Sequence, residues 1–104
     1  MENKPKFEIE NGTKYWHLND QFHREDGPAI EMANGTKKWY INGQFHRLDG
    51  PAVELFSGTK KWWVNGFHVT DEITQWATNN NIDLDNLSEV DKALIKLIWA
   101  DYGK

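Results

Sequence analysis

The 104-residue chain contains no cysteine. Disulfide frameworks and thiolate metal sites are therefore excluded, and nothing marks an oxidising compartment. No apolar run approaches the roughly 18 residues of a membrane-spanning helix. The opening MENKPKFEIE lacks the apolar segment of a secretion signal, so the expectation is a cytoplasmic protein without a membrane anchor. Catalytic motifs are also missing. There is no Cys nucleophile, no G-x-S-x-G, no HExxH and no glycine-rich phosphate loop leading into a helix. The expectation is a non-enzyme with no catalytic residues, no cofactor and no metal centre.

Aromatic rings are plentiful, at 13% with six Trp, in a chain that is 27% charged and has a mean hydropathy of −0.79. At this length the chain makes one domain with a modest core, and a few large rings must supply most of the burial. Residues 1–70 carry nine Lys or Arg against nine Asp or Glu, and residues 71–104 carry three against seven. The whole net charge of −4 thus falls on the C-terminal third.

Sliding the sequence on itself exposes a repeat. Asn11-Gly12-Thr13-Lys14, Asn34-Gly35-Thr36-Lys37 and Ser57-Gly58-Thr59-Lys60 stand 23 residues apart, as do Trp16, Trp39 and Trp62, and Asn19, Asn42 and Asn65. Asp26-Gly27-Pro28-Ala29 returns as Asp49-Gly50-Pro51-Ala52, and Pro5 to Glu10 falls in sequence register with the segments that begin at Pro28 and Pro51. Such a period denotes stacked units that cannot bury their apolar sides alone. Each unit reads as β structure. Lys37 to Ile41 is aromatic and β-branched, Asn42-Gly43 signals a type I′ hairpin, and Val53 and Leu55 alternate with Glu54. A two-residue loop at Asn42-Gly43 pairs Ile41 with Gln44, Tyr40 with Phe45 and Trp39 with His46. Trp39, Ile41 and His46 then share one face; Tyr40 and Phe45 share the other.

The third copy lacks one residue after Asn65-Gly66, so Phe67 is expected where Gln44 sits, with the following side chains flipped. Its Asp-Gly-Pro is replaced by Thr70-Asp71-Glu72, read as the N-cap and first turn of a short helix carrying Ile73, Trp76 and Ala77 on one side. Ser88 to Asp91 reads as a capping box for a second helix. In that helix Val90, Ala93, Leu94, Leu97, Ile98 and Tyr102 form an apolar stripe, widened by Ile95 and Trp99, with Gly103 as the stop. The expected fold is mainly β (α+β). Residues 1–69 form an open antiparallel sheet of about six or seven strands, and residues 70–104 form a helical cap that closes its end.

The 23-residue period, the W-x-x-N-G turn and the following His resemble MORN repeats, in particular the variant of small phage and bacterial proteins reading WYxNGxxHRxDGPAxE. Both full copies match it, LNDQFHREDGPAIE with Asp20 in the turn and INGQFHRLDGPAVE throughout. The resemblance implies a row of hairpins in an elongated, twisted sheet. It also implies a scaffold for interaction, with protein or lipid partners. Ordinary MORN repeats carry Gly after the His, where this chain has Arg24 and Arg47, which weakens the lipid reading.

Three imidazoles at a recurring position, His23, His46 and His68, invite a zinc or proton-transfer reading. Units a hairpin's width apart do not bring ring nitrogens to one point, so a stacking role is expected. Arg24 and Arg47 can either meet an anion or order the turn through Asp26 and Asp49. His17, Tyr40 and Trp63 occupy one repeat position yet differ in size and polarity, as a ladder facing a partner would. Lys38 and Lys61, with other lysines, flank this ladder. The expected function is non-enzymatic protein binding through this face or the acidic helix. In a phage or mobile-element protein the partner would be a host or defence factor that is modulated or inhibited. The alternative is a nucleotide or other anion held by Arg24, Arg47 and the rings. Neutral charge over the repeats argues against nucleic acid, and self-association stays open.

Overall fold

The computed structural model describes residues 4–104. The strands are β1 (Lys6–Glu10), β2 (Thr13–Leu18), β3 (Gln21–Phe22), β4 (Ile30–Glu31), β5 (Lys37–Lys38), β6 (Tyr40–Ile41), β7 (Gln44–Phe45), β8 (Val53–Glu54), β9 (Lys60–Lys61), β10 (Trp63–Val64) and β11 (Phe67–His68), followed by helices α1 (Thr70–Asn79) and α2 (Glu89–Trp99). The main sheet runs β1-β2-β4-β5-β8-β9, all antiparallel and open at both ends, with β3 attached to β2; β6-β7 and β10-β11 are separate hairpins. The expected mainly β class with two C-terminal helices is what the chain adopts.

Each unit uses one stretch twice. Lys37–Lys38 pairs with the strands on either side, Lys37 opposite both Glu31 and Glu54. The chain continues past Trp39 into a hairpin pairing Tyr40 with Phe45 and Ile41 with Gln44. Asn42 at φ 50 and Gly43 at φ 78 form the type I′ turn that matches strand twist. Asn19-Asp20 and Asn65-Gly66 have the same left-handed geometry.

Successive hairpins are fastened by the same hydrogen bonds, displaced by 23 residues. Gly43 N–H donates to the Phe22 carbonyl and Arg24 N–H to the Tyr40 carbonyl; Gly66 N–H donates to the Phe45 carbonyl and Arg47 N–H to the Trp63 carbonyl. Asn42 N–H donates to Nδ1 of His23, and Asn65 N–H to Nδ1 of His46, both at 2.9 Å. The histidines at this position therefore satisfy backbone donors that stacking would otherwise strand.

The missing residue in the third copy acts as expected. Trp63 pairs with His68 and Val64 with Phe67, so Phe67 occupies the place of Gln44 and His68 that of Phe45. The grouping of His68 with His23 and His46 is corrected: Val69 takes that position. With no fourth hairpin to offer an N–H, no acceptor is needed, and Val69 is fully buried. The proposed Thr70 N-cap is also corrected. Val69 is the cap residue of α1 and makes no side-chain cap bond. Trp16 and Trp39 donate their N–H groups to the carbonyls of Ala29 and Ala52. In the third copy, which lacks that segment, Trp62 N–H donates to Thr70 Oγ1 at 2.8 Å.

The core lies where the helices meet this last unit. Trp62, Val64, Val69, Ile73, Ile95 and Trp99 form one buried cluster, with Leu48, Trp76, Leu84 and Leu87 packed against it. Ser88 and Asp91 complete the capping box, and Asn65 Nδ2 donates to the carbonyls of Ala100 and Tyr102 at 2.9 Å, fixing the end of α2 to the hairpin turn. The predicted stripe of α2 enters the core by one margin only. Val90 is 77% exposed and Leu97 80%, whereas Ile95 and Trp99, the residues that widen the stripe, are buried and Leu94 is half-buried. The helix is apolar on both sides, and the orientation that buries the large Trp99 ring gains the most.

The N-terminal half copy departs from its sequence register. Asn11-Gly12 is a two-residue loop closing on Glu10 and Thr13. In the later copies three residues intervene, with Met32 N–H and Leu55 N–H bonded to the Thr36 and Thr59 carbonyls. The one-residue difference turns β1 over. Phe7 pairs with Trp16, their ring centroids 4.7 Å apart, whereas Ile30 pairs with Lys38.

Candidate functional site

Two faces carry side chains of chemical interest, because adjacent residues of a strand point to opposite sides. On one face the tryptophans of the first two units are each covered by an arginine. The guanidinium carbon of Arg24 lies 3.8 Å from the Trp16 ring centroid, and that of Arg47 lies 3.8 Å from that of Trp39. Arg24 Nε donates to Asp26 at 3.0 Å and its Nη1 to the Pro28 carbonyl at 3.1 Å. Arg47 repeats this with Asp49 at 2.8 Å and Pro51 at 3.0 Å, and adds Glu54 at 3.5 Å. A Cβ on Gly50 would stand 2.5 Å from the Arg47 guanidinium carbon, so a side chain there would push the guanidinium from this position. Burial pushes the Asp49 carboxyl up, but the hydrogen bond and charge of Arg47 outweigh it and hold the group below its ordinary value. Between the units runs a cleft of about 680 Å³, lined among others by Asp26, Trp39, His46, Arg47, Asp49 and Lys96. Nη2 of neither arginine takes part in these hydrogen bonds, but Glu25, Asp26 and Asp49 line the same cleft, and their charge opposes a further anion there.

The opposite face carries a continuous column of rings across three hairpins. Tyr15 and Phe22 have centroids 6.0 Å apart, Phe22 and Tyr40 5.3 Å, Tyr40 and Phe45 4.4 Å, Phe45 and Trp63 5.1 Å, and Trp63 and His68 4.9 Å. These are the separations of offset and tilted aromatic pairs. Phe22 and His68 are exposed; Tyr40, Phe45 and Trp63 are half-buried. Burial raises the Tyr40 phenol above its ordinary pKa, so it stays a neutral hydrogen-bonding group at physiological pH. The helices pack against Trp62, on the other side of the sheet from Trp63; the column meets them at His68, whose Nε2 lies 2.8 Å from Thr70 Oγ1, and the Trp63 ring nitrogen is buried without a partner among the described residues. Lys38 and Lys61 lie two residues before Tyr40 and Trp63, opposite Val53 in the main sheet.

The structure thus separates the sequence-derived candidates. Tyr40, Trp63, Lys38 and Lys61 belong to the column face, and Arg24 and Arg47 to the Trp face. His17 pairs with Phe22, but its Nε2 is bonded to Glu8 at 2.9 Å. The first unit enters the column through Tyr15 and Phe22 instead. Tyr15, Phe22, Phe45 and His68 are the rings of the column that the sequence-derived site left out. The pairing of Tyr40 with Phe45 contained the signal, since repeating it 23 residues earlier selects Phe22. Among the described residues, no three His, Cys, Asp or Glu side chains gather to hold a metal ion, and no helix is long and apolar enough to cross a membrane.

Comparison with family models, curated proteins and solved structures finds no match for this chain.

Proposed function

We propose that this chain is a non-enzymatic, cytoplasmic protein-binding module built of MORN-like hairpin repeats, with the aromatic column as its docking face. The observation that carries the reading is the partly exposed run of rings from Phe22 through Tyr40, Phe45 and Trp63 to His68. Tyr and Trp dominate the energetics of protein interfaces, because they bury large area with few rotatable bonds while keeping a polar atom. A rigid sheet presents them already ordered, which lowers the entropy cost of association. Lys38 and Lys61 at the margin favour a partner with an acidic rim. The repeat variant fits a phage or mobile-element protein that engages and inhibits a host or defence protein. Anion binding through Arg24 and Arg47 takes second place, because Asp26 and Asp49 already neutralise the two guanidinia.

The test is affinity capture from host lysate with the full chain and with Tyr40→Ala plus Trp63→Ala, followed by reconstitution with the purified partner. Loss of at least about 100-fold in affinity is expected from removing two central aromatic anchors, with circular dichroism unchanged. Undiminished binding by the double variant would show that the column is not the docking face. Thermal stabilisation by nucleotides that vanishes in Arg47→Ala would favour the ligand reading instead.

A further inference from the structure

We propose that the N-terminal edge of the sheet is a self-association site, at which β1 pairs antiparallel with β1 of a second copy about a two-fold axis through Phe7. The inference does not depend on the aromatic column.

The two ends of the sheet are finished differently. At the C-terminal end α1 and α2 cover the last unit, whereas β1 is a terminal strand with β2 as its only strand neighbour among the described residues. The type I′ turn makes Glu10 and Thr13 a hydrogen-bonded pair, and the alternation along the ladder then turns Glu8 and Lys6 toward β2 as well. The N–H and C=O groups of Phe7 and Ile9 face outward, and among the described residues they have no backbone partner there. Phe7 is 50% exposed and Ile9 60%, while Ile30 and Val53, the counterparts of Phe7 in the later copies, are buried. An edge strand with open donors and acceptors is a template for another strand.

The side chains select which strand. Lys4-Pro5-Lys6-Phe7-Glu8-Ile9-Glu10 has both lysines before the phenylalanine and both glutamates after it, at alternate positions. Pairing about Phe7 sets Lys6 of one copy opposite Glu8 of the other, twice, with each Glu8 also holding His17 of its own chain, and brings Lys4, which precedes β1, toward Glu10. Only registers that bring the outward groups of Phe7 and Ile9 face to face allow hydrogen bonds. The neighbouring one about Glu8 places Glu8 against Glu8, and the one about Ile9 places Glu8 against Glu10. In the Phe7 register the Phe7 residues exchange N–H···O=C bonds, and each Ile9 N–H reaches the opposite Pro5 carbonyl, while the reciprocal bond to the Ile9 carbonyl is absent because proline has no N–H. The two phenylalanines meet beside the Trp16 rings, and the sheets become continuous. Lysines and proline commonly guard an edge against foreign strands; here the same strand, arriving antiparallel, answers Lys6 with Glu8.

Sedimentation of the full chain over a concentration series tests this, with the substituted positions all exposed. The wild type should form a dimer that weakens as salt rises. The variants Lys4→Glu plus Lys6→Glu and Glu8→Lys plus Glu10→Lys should each self-associate at least about tenfold more weakly, and their equimolar mixture should restore a dimer. Amide exchange at Phe7 and Ile9 should slow with rising concentration in the wild type, a readout that needs no variant. A wild type that stays monomeric, single-sign variants that dimerise as tightly as the wild type, or a mixture that stays monomeric would each overturn the proposal. So would a dimer kept in both charge variants and lost in Leu97→Glu, which would belong to α2.

Discussion

Arg47 and Trp39 are stacked, guanidinium on indole, at 3.8 Å, and this contact joins the hairpin of the second unit to the Asp-Gly-Pro turn that follows it. The same guanidinium donates to Asp49 and to the Pro51 carbonyl, so one side chain orders three parts of the repeat. Its planar, multiply donating shape performs both tasks, which an ammonium does not.

Arg47→Ala should therefore destabilise the fold by about 1.5–3 kcal/mol, the combined order of a partly buried cation–π contact and charge-assisted hydrogen bonds, and Arg47→Lys should recover little of it. Urea denaturation at pH 7 measures both. A pH signature accompanies the loss. Asp49 is held below its ordinary carboxylate value, so the unfolded chain takes up its proton first on acidification. Its contribution is fully present above about pH 4 and disappears as pH falls through the lower folded value. This acid limb should flatten in Arg47→Ala.

Much of this arrangement was legible in the sequence. The period located the units, the Asn-Gly turns fixed the pairing of Tyr40 with Phe45, and the missing residue after Gly66 announced the change of face at Phe67. What sequence could not supply were choices settled by packing. Asn11-Gly12 and Asn34-Gly35 are the same dipeptide, yet one closes a two-residue loop and the other sits in a three-residue loop, so β1 is turned over relative to its counterparts. The side of α2 that enters the core was equally hidden, since Val90 and Leu97 are as apolar as Ile95. The Arg–Trp stack joins residues eight apart in sequence through a turn whose geometry no periodicity reveals.

His46 supplies a second pH dependence, of neutral rather than acid range. Burial, assisted by the charge of Lys104, lowers its pKa, and its Nδ1 accepts the Asn65 N–H, a bond a protonated Nδ1 is unable to make. The folded chain thus prefers the neutral ring while the unfolded chain protonates at about pH 6.5. Stability from this site is fully present above that value and declines as pH drops toward the lower folded pKa. His46→Gln should show a smaller decline between pH 7.5 and 5 in urea titrations. Nitrogen-detected NMR at pH 7.5 should find the proton of His46 on Nε2.

The third copy allows a test in which restoring the repeat harms the protein. Inserting Gln between Gly66 and Phe67 recreates the Asn-Gly-Gln-Phe-His order of the second unit and places His68 where His46 stands. The insertion draws Val69 from its fully buried site and displaces Thr70, whose hydroxyl accepts the Trp62 N–H. Loss of a buried valine costs about 1.5–3 kcal/mol, and a buried N–H left without a partner costs about 1–3 kcal/mol. The imidazole delivered in exchange meets the helical cap, where no further hairpin offers an N–H. Destabilisation of at least about 3 kcal/mol is expected from these two losses, a large share of the 5–15 kcal/mol typical of a domain, with the Trp62 amide losing its protection against hydrogen exchange. An insertion variant as stable as the wild type would mean that the helices re-dock on the longer hairpin, and that the deletion is not what fits the last unit to its cap.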